Sequence, residues 1–299
     1  FASAPGSNAN SAAEYVIAAM LEICRRRGIR LEGKSIGVIG VGNVGSRVAH
    51  KCEAIGMRVL RNDPPLARRT GDPKYVPLED LYSCEFITIH TPLTREGPDR
   101  TFHLADGSFF ASLKPNAVFV NASRGAVVDT AALRFAMETG RLRAVALDVW
   151  EGEPDISPDL LEMVDLGTPH IAGYSYDGKI GGMIMIYRSL CEHFGLEPQF
   201  SEEDFLPEPK VPRLEIAPGD RKDQDVVAEA VEAVYDIRRD DQNLREIVRQ
   251  SESERGRFFD ALRKNYPVRR EFQNTTVVLD GAGETVASKL GGIGFKVEQ

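Results

Sequence analysis

Residues 35–63, SIGVIGVGNVGSRVAHKCEAIGMRVLRND, limit the fold more than any other part of the chain. An apolar run, Ile36, Val38 and Ile39, leads into Gly40-Val41-Gly42-Asn43-Val44-Gly45, and Val44, Val48, Cys52 and Ile55 then recur at helical spacing. A second apolar run over 57–61 follows and ends on Asp63. Strand, glycine turn, helix, strand and terminal acid in that order make the first βαβ unit of a dinucleotide-binding sheet. Gly40 makes the tight turn, Gly42 lets backbone N–H groups approach a pyrophosphate, and Gly45 lets the helix pack closely on the strand. Gly40, Gly42, Asn43, Val44 and Gly45 are therefore the candidate pyrophosphate cradle. Asp63, eighteen residues beyond Gly45, is set to accept hydrogen bonds from ribose hydroxyls and to repel a 2′-phosphate. The cofactor read from that acid is NAD.

Further strands are predicted over 86–89, 117–120 and 144–148, with helices over 129–139 and 176–193. An earlier helix, marked by Val16, Ala19, Met20 and Ile23, closes on Gly28. Residues 64–77 read as turns, and 198–218 have the proline-rich, acidic composition of a linker. Beyond lie a strand over 213–216, one helix presenting Val227, Ala230, Val234 and Ile237 inward, a basic helix near 258–264, and strands over 275–279 and 295–297 around a short helix ending near Gly291. This rhythm predicts an α/β fold: a doubly wound parallel Rossmann sheet followed by a smaller α/β unit. In such sheets ligands sit beyond the carboxyl ends of the strands, where Asp63, Thr91, Arg124 and Asp148 fall.

Composition narrows the partners. A net charge of −8 with a pI near 5.3 argues against non-specific nucleic-acid binding, which relies on phosphate neutralisation by a basic surface. Cys24, Cys52, Cys84 and Cys191 are far apart, with no CxxC pair, and read as core thiols of a reducing compartment and not as metal ligands. The longest apolar stretch, 15–23, is short, interrupted by Glu22 and followed by Arg25, Arg26 and Arg27, so no membrane span is expected and the location expected is cytoplasmic. The chain opens at Phe1 inside what reads as a loop, the mark of a fragment or a processed product.

Three residues suit hydride-transfer chemistry on a 2-hydroxy acid: Arg124 in a Ser-Arg-Gly turn, Glu153 in Glu-Gly-Glu-Pro, and His170 in Thr-Pro-His. Such a reaction needs a base for the hydroxyl proton, an anchor for the carboxylate, and C2 held against the nicotinamide. Imidazole, titrating near pH 6.5, suits the first task, and the planar guanidinium fork suits the second. Glu153 would hold the other ring nitrogen of His170 and fix its tautomer. Each residue alone has a bland reading: a structural histidine, a helix-capping arginine, a solvated glutamate. Their combination carries the signal.

GVIGVGNVG, HTPLT, NASRGAVVD, ALDVWEGEP and TPHIAG, in that order, resemble the D-isomer-specific 2-hydroxyacid dehydrogenases over residues 1–196, and the spacings from Arg124 to Glu153 to His170 are similar to that family's Arg, Glu and His. The resemblance implies that Arg124 binds the substrate carboxylate, Glu153 partners the histidine, His170 is the acid/base, and Thr91, Ser123, Asp148 and Gly173 line the NAD site. ASAPGSNANSAAEYV, GYSYDGK, VYDIRRDD, LRKNYPVRREF and KLGGIGF further resemble one branch of that family, acting on a small phosphorylated 2-hydroxy acid. This implies that Tyr174 touches substrate and that 211–299 is a dimerisation domain of a homodimer. The expected division is 1–30, a remnant of the substrate domain with its crossover helix; 31–175, the NAD-binding Rossmann domain; 176–197, a return helix; 198–210, a linker; and 211–299. Family members carry an amino-terminal segment forming most of the substrate domain, and this chain starts after it.

Two rivals stay open: another dehydrogenase of the family, such as a phosphoglycerate dehydrogenase, and a nucleotide-sensing scaffold of the corepressor type. The terminal pieces weigh against the first and their folded periodicity against the second. A phosphorylated substrate also needs more positive charge than Arg124 supplies. The basic cluster Arg263, Lys264, Arg269 and Arg270 raises the expectation that Arg263 reaches the phosphate from the partner subunit across a two-fold axis.

Overall fold

The computed structural model describes residues 1–281 and 283–299. Strands β1 (Ser35–Ile39), β2 (Arg58–Asn62), β3 (Phe86–Ile89), β4 (Ala117–Asn121), β5 (Leu142–Leu147) and β6 (Leu166–Gly167) form one parallel sheet in the order β2-β1-β3-β4-β5-β6. The order reverses between β1 and β3, which opens a crevice at the carboxyl ends of those strands.

Both faces of the sheet are covered, so its central strands β1, β3 and β4 are buried throughout and successive residues enter different cores, while the edge strand β2 (RVLRN) is only partly buried. Val118 and Val120 of β4 face one core with Ile36 and Val38, while Ala117 and Phe119 face the other with Ile39, Ile87 and Ile89. Phe119 is fully buried among Phe109 and Phe110, and Phe119→Ala would cost about 3–5 kcal/mol in lost transfer energy and cavity. Helices α1 (Ala9–Arg27) and α2 (Asn43–Ala54) cover the first face. After the short α3 (Pro64–Thr70), helices α4 (Gly107–Ser112), α5 (Thr130–Glu138) and α6 (Pro158–Met163) cover the second.

Two local expectations need correction. Residues 64–70, read as turns, form α3, because a proline in the first turn starts a helix whose N–H groups need no partner there, and the Asp63 side chain caps it by accepting from Leu66 N–H at 2.9 Å. The single helix expected through Val227 and Ile237 breaks in two. Helix α8 (Asp223–Val234), which follows α7 (Tyr176–Phe194), ends at Tyr235, and Asp236 caps α9 (Ile237–Arg245) by accepting from Arg238 N–H.

The chain after residue 211 divides its contacts between the two cores. Strands β7 (Arg213–Ile216), β8 (Thr276–Leu279) and β9 (Lys296–Glu298) form a small parallel sheet in that order. Helices α8 and α11 (Glu284–Ile293) carry it onto α1 and α2, so closely that a Cβ on Gly292 would lie 2.4 Å from the Ala54 Cβ. Helix α9 and α10 (Glu252–Lys264) instead join the second core through Leu244 and Phe259. Asp241 accepts from Gly167 N–H at 2.9 Å, and Arg245 donates to the carbonyls of Leu161 and Val164, so α9 closes the edge that β6 would expose.

Helix α7, the segment expected to lead back to the substrate domain, leaves Met183, Ile186, Leu190 and Phe194 exposed. Among the described residues no helix is long and apolar enough to cross a membrane, and no cluster of His, Cys, Asp and Glu could hold a metal ion. All four cysteines are buried free thiols.

Candidate active site

The glycine turn after β1 shows why each glycine is needed. Gly40 sits at φ 82° with the His90 carbonyl and Thr91 methyl where a Cβ would go. A Cβ on Gly45 would lie 1.9 Å from the Gly40 carbonyl oxygen, an impossible contact. Gly42, by contrast, faces open space and caps α2 without a side-chain bond, so the first-turn N–H groups of Asn43, Val44 and Gly45 stay available to an anion. Asp63 follows β2 and ties this turn down: one carboxylate oxygen accepts from Val41 N–H at 2.8 Å while the other caps α3.

At the end of β3 the site holds two polar atoms that nothing satisfies. His90 Nδ1 and Thr91 Oγ1 are buried without hydrogen-bond partners, beside Gly40. Burial pushes the His90 imidazole down to about 3, so the ring is neutral, its Nε2 paired with Thr88 Oγ1 at 2.9 Å. Orphaned polar atoms, a capless helix start and the open face of Gly42 together fit a dinucleotide. Sequence reasoning named Thr91 but passed over His90, although the His-Thr-Pro ending of the strand was its signal.

Arg124 follows β4, exposed, its Nη1 donating to the Ser123 carbonyl at 2.6 Å; among the described residues no carboxylate pairs with it. Ser123 is buried, with N–H and hydroxyl both donating to Asn121 Oδ1. The turn is pressed onto the next loop, since a Cβ on Gly125 would lie 2.0 Å from the Trp150 carbonyl oxygen. Trp150 in turn donates from Nε1 to the Thr168 carbonyl at 2.9 Å. The loop that carries Glu153 is thereby wedged between the Arg124 turn and the strand that leads to His170.

His170 adopts φ 55°, a left-handed conformation that strains a non-glycine residue. One residue holds it there. The Asp148 carbonyl accepts from His170 N–H at 2.7 Å, and its carboxylate accepts from Ile171 N–H at 2.8 Å and Ala172 N–H at 2.9 Å. Thr168 Oγ1 adds a third bond to that carboxylate at 2.7 Å and meets Tyr15 of α1 at 2.7 Å. Asp148, expected to line the cofactor site, thus has three of about four acceptor positions filled by its own chain and is 1% exposed. Gly173 is likewise fixed by packing, because a Cβ there would lie 2.4 Å from Asn8 Nδ2.

The left-handed turn brings His170 Nδ1 to 2.7 Å from Glu153 Oε1. An ionised carboxylate can only accept, so Nδ1 carries the proton and Nε2 keeps a free lone pair. This is the arrangement a proton acceptor requires.

Tyr174, four residues on, packs edge to face on Tyr266 and lies under two cations, Lys179 Nζ at 4.7 Å and the Arg263 guanidinium at 5.7 Å from its ring centre. Arg263 therefore meets Tyr174 within one chain. Arg269 and Arg270 leave the basic cluster altogether. Both are buried: Arg269 donates to Ser11 Oγ and to the Ala172 carbonyl, and Arg270 pairs with Asp177 at 2.9 Å. The arginine charge is needed at the seam between the carboxyl-terminal segment and helices α1 and α7.

Comparison with known proteins places this geometry. The model of the D-isomer specific 2-hydroxyacid dehydrogenase NAD-binding domain matches residues 11–172, and a domain of unknown function matches 205–292. An erythronate-4-phosphate dehydrogenase from Edwardsiella ictaluri is 44% identical over 99% of this chain and 76% of its own length. One from Marinobacter nauticus is 41% identical over 100% of this chain and 78% of its own length. Among solved structures, the NAD-dependent formate dehydrogenase of Staphylococcus aureus in complex with NAD superposes with a TM-score of 0.54 at 25% identity, covering 67% of this chain and 66% of that one.

Proposed function

The chain belongs to the D-isomer specific 2-hydroxyacid dehydrogenases, NAD-dependent enzymes that act on a CH–OH group, and from that premise we propose that it oxidises 4-phospho-D-erythronate to 2-oxo-3-hydroxy-4-phosphobutanoate. The observation that carries the reading is the His170–Glu153 pair at 2.7 Å, with Arg124, which has no carboxylate of its own, on a turn pressed against the loop that leads to Glu153. The naming of two curated relatives as erythronate-4-phosphate dehydrogenases supports this substrate over its three-carbon analogue. The reading extends to a role in pyridoxal 5′-phosphate biosynthesis, in the cytoplasm, as a homodimer through 211–299.

In this reading Arg124 grips the substrate carboxylate with its guanidinium fork and so fixes the orientation of C2. His170 Nε2 accepts the C2 hydroxyl proton as the C–O bond gains double-bond character. Glu153 stabilises the imidazolium that results and keeps the ring from turning. The glycine turn and Asp63 would hold NAD, which when bound would supply the acceptor for the hydride from C2. The Asp148 clamp on residues 170–172 keeps the base in place at no reorganisation cost during the reaction.

The test offers 4-phospho-D-erythronate and 3-phospho-D-glycerate side by side to the full-length protein with NAD and follows NADH formation. Preference for the four-carbon substrate is expected; preference for 3-phosphoglycerate, or no turnover of either, overturns the assignment.

A further inference from the structure

Helix α10 runs from the loop just after Glu153 to Tyr174, four residues after His170. At its start, Gly256 packs on the residues after Glu153, where a Cβ would lie 2.6 Å from Asp155 Oδ1 and 3.4 Å from Pro154 Cγ. Seven residues on, about 10 Å along the axis, Arg263 reaches the ring of Tyr174. The helix thus spans from the loop of the glutamate to the tyrosine that follows the histidine, both ends fixed by contact.

Between these ends lies an open recess of about 510 Å³, lined by Tyr174, Arg257, Asp260, Ala261, Arg263 and Lys264. Its charge contrasts with the net −8 of the chain, for Lys179 also stands over Tyr174, and the four cations face one acid. That acid is a poor partner: Asp260 comes no closer than 3.8 Å to Arg263. Arg263 Nε is buried with no hydrogen-bond partner, and among the described residues Lys179, Arg257 and Lys264 form no ion pair. Burial, with Arg269 nearby, also holds the Lys179 ammonium below its usual range. A packing role for Arg263 against Tyr174 accounts for one guanidinium but not for three further cations without counterions around it.

We propose that this recess is an oxyanion site built within one chain, in which Arg263 and Lys179, set around Tyr174, bind the terminal phosphate of the substrate. The inference rests on the reading of the substrate as a phosphorylated 2-hydroxy acid. The recess is much larger than a phosphate group, which leaves room for part of the carbon chain beside Tyr174. The planar guanidinium supplies two directed N–H groups and the ammonium a point charge, the usual complement for a phosphate's oxygens.

Two measurements on the full-length protein test it. The first compares kcat/KM for 4-phospho-D-erythronate with that for D-erythronate, which lacks only the phosphate. Arg263→Ala and Lys179→Ala should each lower the preference for the phosphorylated substrate by about tenfold to a hundredfold, and Arg263→Lys should recover part of it. Equal losses on both substrates would reduce Arg263 to a packing residue and overturn the proposal. If the unaltered protein does not oxidise 4-phospho-D-erythronate, the functional reading fails on its own, and calorimetric titration with inorganic phosphate then decides the site: binding that weakens in Arg263→Ala upholds it, binding unaltered by the change ends it. The second measurement mixes Arg124→Ala and Arg263→Ala chains. A site within one chain predicts no recovered activity in mixed dimers; recovery would show that Arg263 serves the partner's cleft.

Discussion

Two histidine–glutamate pairs in this chain share nearly all their local geometry and differ in what they can do. His170 meets Glu153 at 2.7 Å and His103 meets Glu151 at 2.7 Å. Both histidines are left-handed, at φ 55° and 52°, and both side chains are 28% exposed. The difference is which nitrogen is engaged. His170 uses Nδ1 and leaves Nε2 free, whereas His103 uses Nε2 and turns Nδ1 toward Asp129 at 3.9 Å, its ring stacked on Phe102. Glu151 is committed as well, accepting from Thr130 N–H at the start of α5; burial works against its ionisation, but the His103 and Thr130 bonds outweigh it and hold the carboxyl below its usual range. The His103 pair is a closed staple between two loops. The His170 pair leaves Nε2 without a hydrogen-bond partner among the described residues. A short His–Glu distance alone is thus weak evidence for a proton acceptor; which ring nitrogen it leaves free matters more.

The comparison breaks most readily at the histidines themselves. His170→Ala should lower turnover by roughly 10²- to 10⁴-fold while NAD affinity, measured by fluorescence titration, is retained. His103→Ala should leave turnover near normal and instead lower stability by about 1 kcal/mol, read from denaturant unfolding. Comparable losses of turnover in both variants would erase the distinction.

A smaller effect is expected from the packing behind one pair alone. Gly256→Val has to displace Pro154 and Asp155, so it should move Glu153 and cost about tenfold in kcat, because a misplaced orienting group misaligns the base. Unchanged kinetics in that variant would mean that the loop yields without moving Glu153.

Asp63 sharpens the contrast between binding and chemistry. Asp63→Ala should weaken NAD more than NADP with little change in kcat, and the lost cap on α3 should cost about 1 kcal/mol of stability. Equal weakening of both cofactors would leave Asp63 only its role in tying Val41 to α3.

The smallest expected effect on turnover concerns a carboxyl with no part in either pair. Glu14 is buried in the seam with Glu271, Lys51 and Arg269, and burial first, then Glu271, raises it to about 8. The folded state therefore holds a proton that the unfolded state has released, so stability falls as pH rises from about 4.5 to about 8. Glu14→Gln should flatten that decline in melting temperature, and an unaltered slope would locate the titration elsewhere.

How much of this was legible in the sequence follows from range. The glycine turn, the strands and Asp63 are local patterns, and each glycine's steric reason lies within one βαβ unit. The roles of Arg124, Glu153 and His170 could be proposed from neighbouring residue types, but what joins them could not. Gly125 against Trp150, and Asp148 holding the successive N–H groups of His170, Ile171 and Ala172, are contacts between strand ends that only the sheet order creates. The same holds for Arg269 and Arg270, which the sequence groups with Arg263 and Lys264 in one basic cluster and which are buried at a seam formed by helices far away along the chain. Helix α3 was missed for the opposite reason, since two prolines signal a break unless the cap before them is recognised.

The central claim, that His170 Nε2 takes the proton while Glu153 fixes the ring, is tested most directly by the pH dependence of kcat/KM in the unaltered protein, Glu153→Gln and Glu151→Gln. The account predicts a rate that rises with pH through one ionisation, an acid limb that moves to lower pH in Glu153→Gln because the anion favouring imidazolium is gone, and a limb left in place in Glu151→Gln. A limb that stays put in Glu153→Gln, or moves equally in both variants, would contradict it.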